Sequence, residues 1–169
     1  KLDGLTLVAT YDSHKLVSLA TRGNGYIGED VTHNAPYISN LPVEIQYGGH
    51  LIVRGEAVIS YDDFTRINKY AQEDGEEGYA NPRNLASSSV RLLDTSKTAK
   101  RCLKFVAFSL VNPYIKEEKN LPDTEFNCFE WLEGQGFYVV PHALVSHENF
   151  PVMLDAYSDS AKGLPYPTD

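Results

Sequence analysis

Gly23-Asn24-Gly25-Tyr26-Ile27-Gly28 has the G-x-G-x-x-G form that lets a backbone come close to a phosphate. Arg22 stands just before it, and its planar guanidinium fork matches phosphate oxygens two at a time. A dinucleotide-binding fold needs a strand before such glycines and a long helix after them. Residues 15–21 read as the strand, but it looks like the second arm of a hairpin. Pro36 and the Asn40-Leu41-Pro42 turn leave room for only about two helical turns after Gly28. The Rossmann reading is rejected, which leaves a phosphate-approaching loop or a tight surface turn. Other charged residues invite chemistry. Lys1 and Asp3 share a face if their segment is extended. Glu56 closes an apolar strand after Gly55 and suits a ribose hydroxyl, or is a solvated strand end with Arg54 as its partner. Arg83 and Arg91, eight positions apart on a predicted helix, lie about 80° from each other around its axis. They face a shared phosphate-rich surface or simply solvent.

These groups are carried by elements that the local sequence defines. Residues 5–11 and 15–21 alternate like strands, with Asp12-Ser13-His14 as turn chemistry between them. Residues 21–34 are polar and Gly-punctuated, a loop with one helical turn at most. A strand over residues 51–60 follows. Ser60 caps a helix through Ala71 that places Phe64, Ile67 and Ala71 on one face. Residues 72–81 are an acidic surface loop. Asn81 caps a helix with Pro82 at its first position, running to about Arg91. A strand over residues 104–111 comes next. Asp123 caps a helix to Glu133 that turns Phe126, Phe129 and Leu132 inward and ends at Gly134 and Gly136. A short strand over residues 137–140 and an Asn149-capped helix over residues 151–161 close the chain. Hairpins mixed with separated helices indicate an α+β fold, mostly antiparallel sheets flanked by helices.

The chain has 169 residues, enough for one domain with its own core. No apolar run reaches the roughly 20 residues that span a bilayer, and no leader is readable, so a cytoplasmic protein without membrane contact is expected. Cys102 and Cys128 lack zinc-site spacing and are expected to be core thiols. The formal net charge of −8 opposes an easy reading as a nucleic-acid binder. Contact with DNA would have to use local arginines or other domains. Opening at Lys1 without Met and closing at Asp169, the chain looks cut from something longer.

Several segments together resemble one family, the adenylation (nucleotidyltransferase) domain of NAD-dependent bacterial DNA ligases. Lys1-Leu2-Asp3-Gly4 has the K-x-D-G form of the lysine nucleotidyltransferases. Thr21-Arg22-Gly23-Asn24-Gly25, Gly28-Glu29-Asp30-Val31-Thr32 and Asn34 resemble the next block, and Val53-Arg54-Gly55-Glu56 the strand after it. Tyr79-Ala80-Asn81-Pro82-Arg83-Asn84 with Ser89-Val90-Arg91-Leu92-Leu93-Asp94 is the most specific match, associated with the NAD-using branch. Phe105-Val106-Ala107-Phe108 resembles an aromatic block, and residues 164–169 the start of a D-G-x-V-x-K block. The resemblance covers nearly the whole chain and implies a partial adenylation domain (residues 1–169) of a longer multidomain ligase, with an ATP-grasp-like nucleotidyltransferase fold.

It also implies roles. Lys1 is the nucleophile that takes AMP from NAD, which requires loss of the proton a lysine carries near neutral pH. Asp3 orients the amine or a metal-bound water, Arg22 clamps phosphate, Glu56 holds ribose, and Phe108 stacks on adenine. Arg83 and Arg91 act in the DNA steps, and Asp169 helps to place Mg2+ or Mn2+. Zinc is expected only in downstream domains, and nicked double-stranded DNA is the partner of the full enzyme. The chain alone is expected to be a monomer that binds NAD weakly and does not ligate. Departures from the family pattern are Asn24 for Asp, Phe108 for Tyr, Leu85 and Ser87-Ser88 for small residues, and Ser109 for Gly. None removes a group that the reaction needs. The alternatives are an ATP-dependent ligase or capping enzyme, a non-catalytic NAD-binding module, and an interaction scaffold built on the acidic residues 73–77.

Overall fold

A computed structural model of the chain describes residues 1–24, 27–75, 77–111, 121–122 and 124–169. Strands β1 (Leu5–Asp12) and β2 (Lys15–Thr21) form the expected hairpin. Ser13 and His14 take φ of 50° and 72°, the left-handed pair that a two-residue turn needs to match strand twist. β3 (Leu51–Val58) pairs antiparallel with β1, and β4 (Lys104–Leu110) antiparallel with β3. The result is one four-stranded sheet in the order β2-β1-β3-β4.

The register sorts the two faces. Leu7 lies opposite Gly55 and Thr21, Ala9 opposite Val53 and Leu19, Tyr11 opposite Leu51, and Phe105 opposite Ala57. These side chains are all buried, and Tyr11 meets Phe137 edge-on at 5.6 Å. The other face carries Thr6, Val8, Arg54 and Glu56. A register shift between Arg54 and Gly55 leaves Phe108 unpaired, beside Ser109 opposite Arg54.

Helices follow their caps. Ser60 accepts from Asp63 N at the start of α1 (Tyr61–Glu73), where Ile67 and Ala71 are buried as expected and Phe64 is half-buried. Asn81 accepts from Asn84 N at the start of α2 (Pro82–Val90), which packs against β3 and β1. A one-turn helix, α3 (Thr95–Ala99), capped by Asp94, was not expected. Helix α4 (Glu125–Gly134) is capped by Thr124, since its hydroxyl accepts from Asn127 N; Asp123, the expected cap, lies outside the described residues. Its buried residues are Cys128 and Leu132, whereas Phe126 is half-buried and meets the His142 ring at 5.5 Å. The strand expected over 137–140 is reduced to one parallel bridge, Ala107 to Val139. Asn149 precedes α5 (Phe150–Lys162), but its side chain accepts from Ser146 N and not from the helix. Cys128 is buried, but Cys102 is not the expected core thiol: it is half-buried with φ 56°, and Arg66 Nη2 lies 3.1 Å from its sulfur. Among the described residues no helix is long and apolar enough to cross a membrane.

Candidate active site

The four residues before β1 sit where the chain cannot stand further from the sheet. A Cβ on Gly4 would lie 2.1 Å from the Ala57 carbonyl oxygen and 3.0 Å from Glu56 Cγ. Only glycine therefore lets the Lys1–Gly4 segment lie flat on the end of β3. Glu56 fixes that approach from the other side. Its Oε1 accepts from Gly4 N at 3.1 Å and its Oε2 from the Thr6 hydroxyl at 2.8 Å. The side chain is buried, and burial pushes its carboxyl above the ordinary carboxylate range. The bonds from Thr6 and Gly4, then the charges of Lys1 and Arg83, pull it part of the way back.

Lys1, Gly4, Leu5, Thr6, Thr21, Arg22, Gly23, Glu56, Arg83 and Arg91 line one cavity of about 370 Å³. Five of the residues singled out from sequence (Lys1, Arg22, Glu56, Arg83 and Arg91) therefore meet, although they come from segments up to 90 positions apart. Four of these five carry positive charge, so the cavity is built for an anion. Arg83 comes from the first turn of α2 and Arg91 from the residue that ends it, so the helix presents both to the same space.

The remaining predicted residues lie around this cavity. Asp3 does not contact Lys1 but receives Arg83 Nη1 at 2.6 Å, which raises the Arg83 pKa. Lys1 Nζ lies 3.5 Å from Asp169 Oδ2, and Asp169 N donates to the Lys1 carbonyl at 2.9 Å. Leu2 and Thr168 form an antiparallel bridge, so the two chain ends run side by side. Phe108 does not line the cavity. Val106 pairs with Glu56, and Phe108, two residues along the same strand, is the unpaired residue at the register shift between Arg54 and Gly55.

The glycine loop is tight at both of its described ends. Gly23 has φ 55°, and a Cβ there would lie 1.8 Å from the Ile27 carbonyl oxygen. One on Gly28 would lie 2.0 Å from the Thr21 carbonyl oxygen. These glycines are tight because the loop packs on itself; Gly25 and Tyr26 lie outside the described residues. Thr21, Arg22 and Gly23, at the base of that turn, line the cavity.

Sequence reasoning gave no role to Thr6, Glu29 or Ser87. Glu29 Oε2 receives Arg91 Nε at 2.7 Å, and Arg91 Nη1 donates to the Ser87 hydroxyl at 2.6 Å and its carbonyl at 2.9 Å. Ser87, a departure from the family pattern, thus holds the arginine that shares its helix. No local signal marks these partners, because each depends on a distant segment or on the rotamer of Arg91.

A larger cavity, about 490 Å³, lies between α1 and α3 and is lined by Arg66, Lys97, Lys100, Arg101 and Cys102 among others. It holds none of the predicted site residues, and the chemistry is assigned to the smaller one because a candidate nucleophile and a buried carboxylate meet there. Among the described residues no group of three or more His, Cys, Asp or Glu side chains is arranged to hold a metal.

Comparison with known proteins supplies the context. The family model for the NAD-dependent DNA ligase adenylation domain matches residues 1–169. A DNA ligase of Lachnoclostridium phytofermentans is 45% identical over 169 residues, all of this chain and 25% of that protein. A DNA ligase of Helicobacter pylori strain P12 is 49% identical over 143 residues, 84% of this chain and 21% of that protein. One from Campylobacter lari is 47% identical over 126 residues, 75% of this chain and 19% of that protein. The chain spans about a quarter of the length of the first of these relatives.

Proposed function

The chain belongs to the NAD-dependent DNA ligase adenylation domain family, and we propose that its 370 Å³ cavity is where a lysine takes AMP from NAD on the way to sealing a DNA nick. The uncharged Lys1 amine attacks the phosphorus of the AMP half of NAD. The P–O bond to nicotinamide mononucleotide breaks, that nucleotide leaves, and a lysine-AMP phosphoramidate remains. AMP then passes to the 5'-phosphate of the nick, freeing the lysine. The 3'-hydroxyl displaces AMP and forms the phosphodiester.

One observation carries this reading: Lys1, Arg22, Glu56, Arg83 and Arg91 line one space. Arg22 clamps the phosphate that is attacked, since its fork fits two oxygens and spreads their charge. Glu56, already holding Gly4 and Thr6, has lone pairs left to accept from a ribose hydroxyl. Phe108, half-buried on β4 next to the strand that carries Glu56, offers its ring to adenine, a contact worth roughly 1–3 kcal/mol. Asp3 orients Arg83, and through it the entry of the phosphate. Arg83 and Arg91 act when AMP meets DNA.

Mg2+ or Mn2+ is implied by the family resemblance, but the donors present do not form a cage for it. Asp3 and Asp169 already face Arg83 and Lys1, and Glu56 holds Gly4 and Thr6. A divalent ion would lean on phosphate oxygens and water, with Asp169 as its one protein ligand, and no step is routed through it. An ATP-grasp-like fold, a monomeric state, a cytoplasmic setting and a place in a longer multidomain ligase complete the reading.

Incubating the protein with NAD or ATP labelled in the adenylyl group tests it. Label should move from NAD, and not from ATP, onto the protein, and Lys1→Ala should abolish the transfer. Transfer from ATP alone would favour the ATP-using branch. Label on the Lys1→Ala protein would remove Lys1 as the nucleophile.

A further inference from the structure

Asn34 sits in the 3₁₀ helix (Thr32–Tyr37) that follows the glycine loop, and it is fully buried. Its Nδ2 donates to the carbonyl of Val90 at 2.8 Å and to that of Leu92 at 2.8 Å. These two carbonyls flank Arg91, so one amide grips the chain on both sides of the arginine. The His33 ring nitrogen Nε2 also lies 3.1 Å from this Nδ2, and because both carbonyls can only accept, the NH2 end of the amide must be the one that faces them. Among the described residues the other end, Oδ1, has no hydrogen-bond partner. The same loop supplies Glu29, which takes the Arg91 guanidinium. Thr32, two residues before Asn34, anchors the helix to β2, with its hydroxyl accepting from Leu19 N at 2.9 Å.

We propose that Asn34 is a positioning residue: it fixes the backbone of Arg91 at the end of α2 so that the guanidinium, braced by Glu29 and Ser87, faces the phosphate-binding cavity. The helix ends at Val90 and Arg91 is its cap, whose N–H still bonds back to the Ser88 and Ser89 carbonyls, whereas the last carbonyls have no partner within the helix and those of Val90 and Leu92 are taken by Asn34. Without Asn34 the last turn is free to fray and to carry Arg91 away from the cavity. The proposal rests on the reading of Arg91 as a group that acts when AMP passes to DNA.

The test uses the full-length enzyme and separates two steps. Asn34→Ala should leave formation of lysine-AMP from NAD near the parental rate. Single-turnover transfer of AMP to the 5'-phosphate of a nicked duplex should slow about 10- to 100-fold, the cost of a misplaced group. The loss should fall on the rate of transfer more than on the DNA concentration at half-saturation. In an Arg91→Ala background the same substitution should add little, because both act through one guanidinium. Asn34→Asp, which keeps the size of the side chain but loses the donors, should behave like Asn34→Ala. Full additivity with Arg91→Ala, or unchanged transfer, would overturn the proposal. So would loss of lysine-AMP formation in both Asn34 variants, which would make the residue a requirement of the fold. If Arg91→Ala itself left transfer intact, the assignment of Arg91 would fall first.

Discussion

Glu56 uses both carboxylate oxygens inside the protein and also lines the cavity. Its oxygens hold Gly4 and Thr6, so it shapes the segment that carries Lys1 as much as it offers an acceptor. Burial is the first cause of its raised pKa, and this gives a signed prediction. A carboxyl with a folded pKa above its unfolded value binds more protons folded than unfolded. Its contribution to stability is then fully present below the unfolded value, about 4.3, and is lost as pH rises through the folded value. Thermal melts across that interval should show the parent losing stability relative to Glu56→Gln as pH rises. A constant difference between the two proteins would show that Glu56 titrates normally. The Lys1–Asp3–Gly4 pattern was readable as chemistry, but the partner of Asp3 was not. Arg83 and Asp3 are 80 positions apart, and only folding brings them to 2.6 Å.

At the scale of elements, α2 is the part that the site depends on most. It carries Arg83 in its first turn and is followed directly by Arg91, and Asn81 starts it by accepting from Asn84 N at 2.8 Å. Pro82 follows at the first helical position, where its missing N–H costs nothing. Asn81→Ala should destabilise the protein by about 0.5–2 kcal/mol, read as an earlier midpoint in denaturant with an unchanged slope. An unaltered midpoint would mean that tertiary packing alone sets the start of α2. The start and end of α2 were legible because Asn-Pro and the change in pattern at Arg91 are local signals. The same holds for Ser60 before α1. Asp123 was a reasonable cap for α4, but Thr124 stands one residue later with equivalent chemistry, and local sequence does not choose between such neighbours. The strand expected over 137–140 shrank to one bridge because strand length is set by the partner, and Ala107 offers only Val139.

At the scale of the molecule, the proposal of a polyanionic partner has to meet a net charge of −8. Two cavities make this possible by gathering cations: Lys1, Arg22, Arg83 and Arg91 in one, and Arg66, Lys97, Lys100 and Arg101 in the other. Arg101 lies over the Tyr79 ring at 5.3 Å and donates to its hydroxyl at 3.2 Å, which holds its guanidinium in place. If the second cluster helps to meet DNA, replacing Lys97 and Lys100 by Ala in the full-length enzyme should lower the slope of log affinity against log salt by about 1 for each phosphate no longer neutralised. Transfer of AMP from NAD to Lys1 should not change. An unaltered salt slope would leave these lysines as solvated surface.

By itself, the sequence determined what short-range chemistry controls: the β1–β2 hairpin, the caps of α1 and α2, the burial of Ile67 and Ala71 on α1, and the set of motifs that marks the family. Those depend on neighbours a few positions apart, whose preferences hold wherever the segment ends up. The tertiary structure alone decided that the glycines pack on their own loop, that Asp3 belongs to Arg83, and that Asn34 holds the end of a helix 56 positions away. Such choices follow from which segments the sheet and its helices bring within hydrogen-bond reach, and no local pattern encodes that distance.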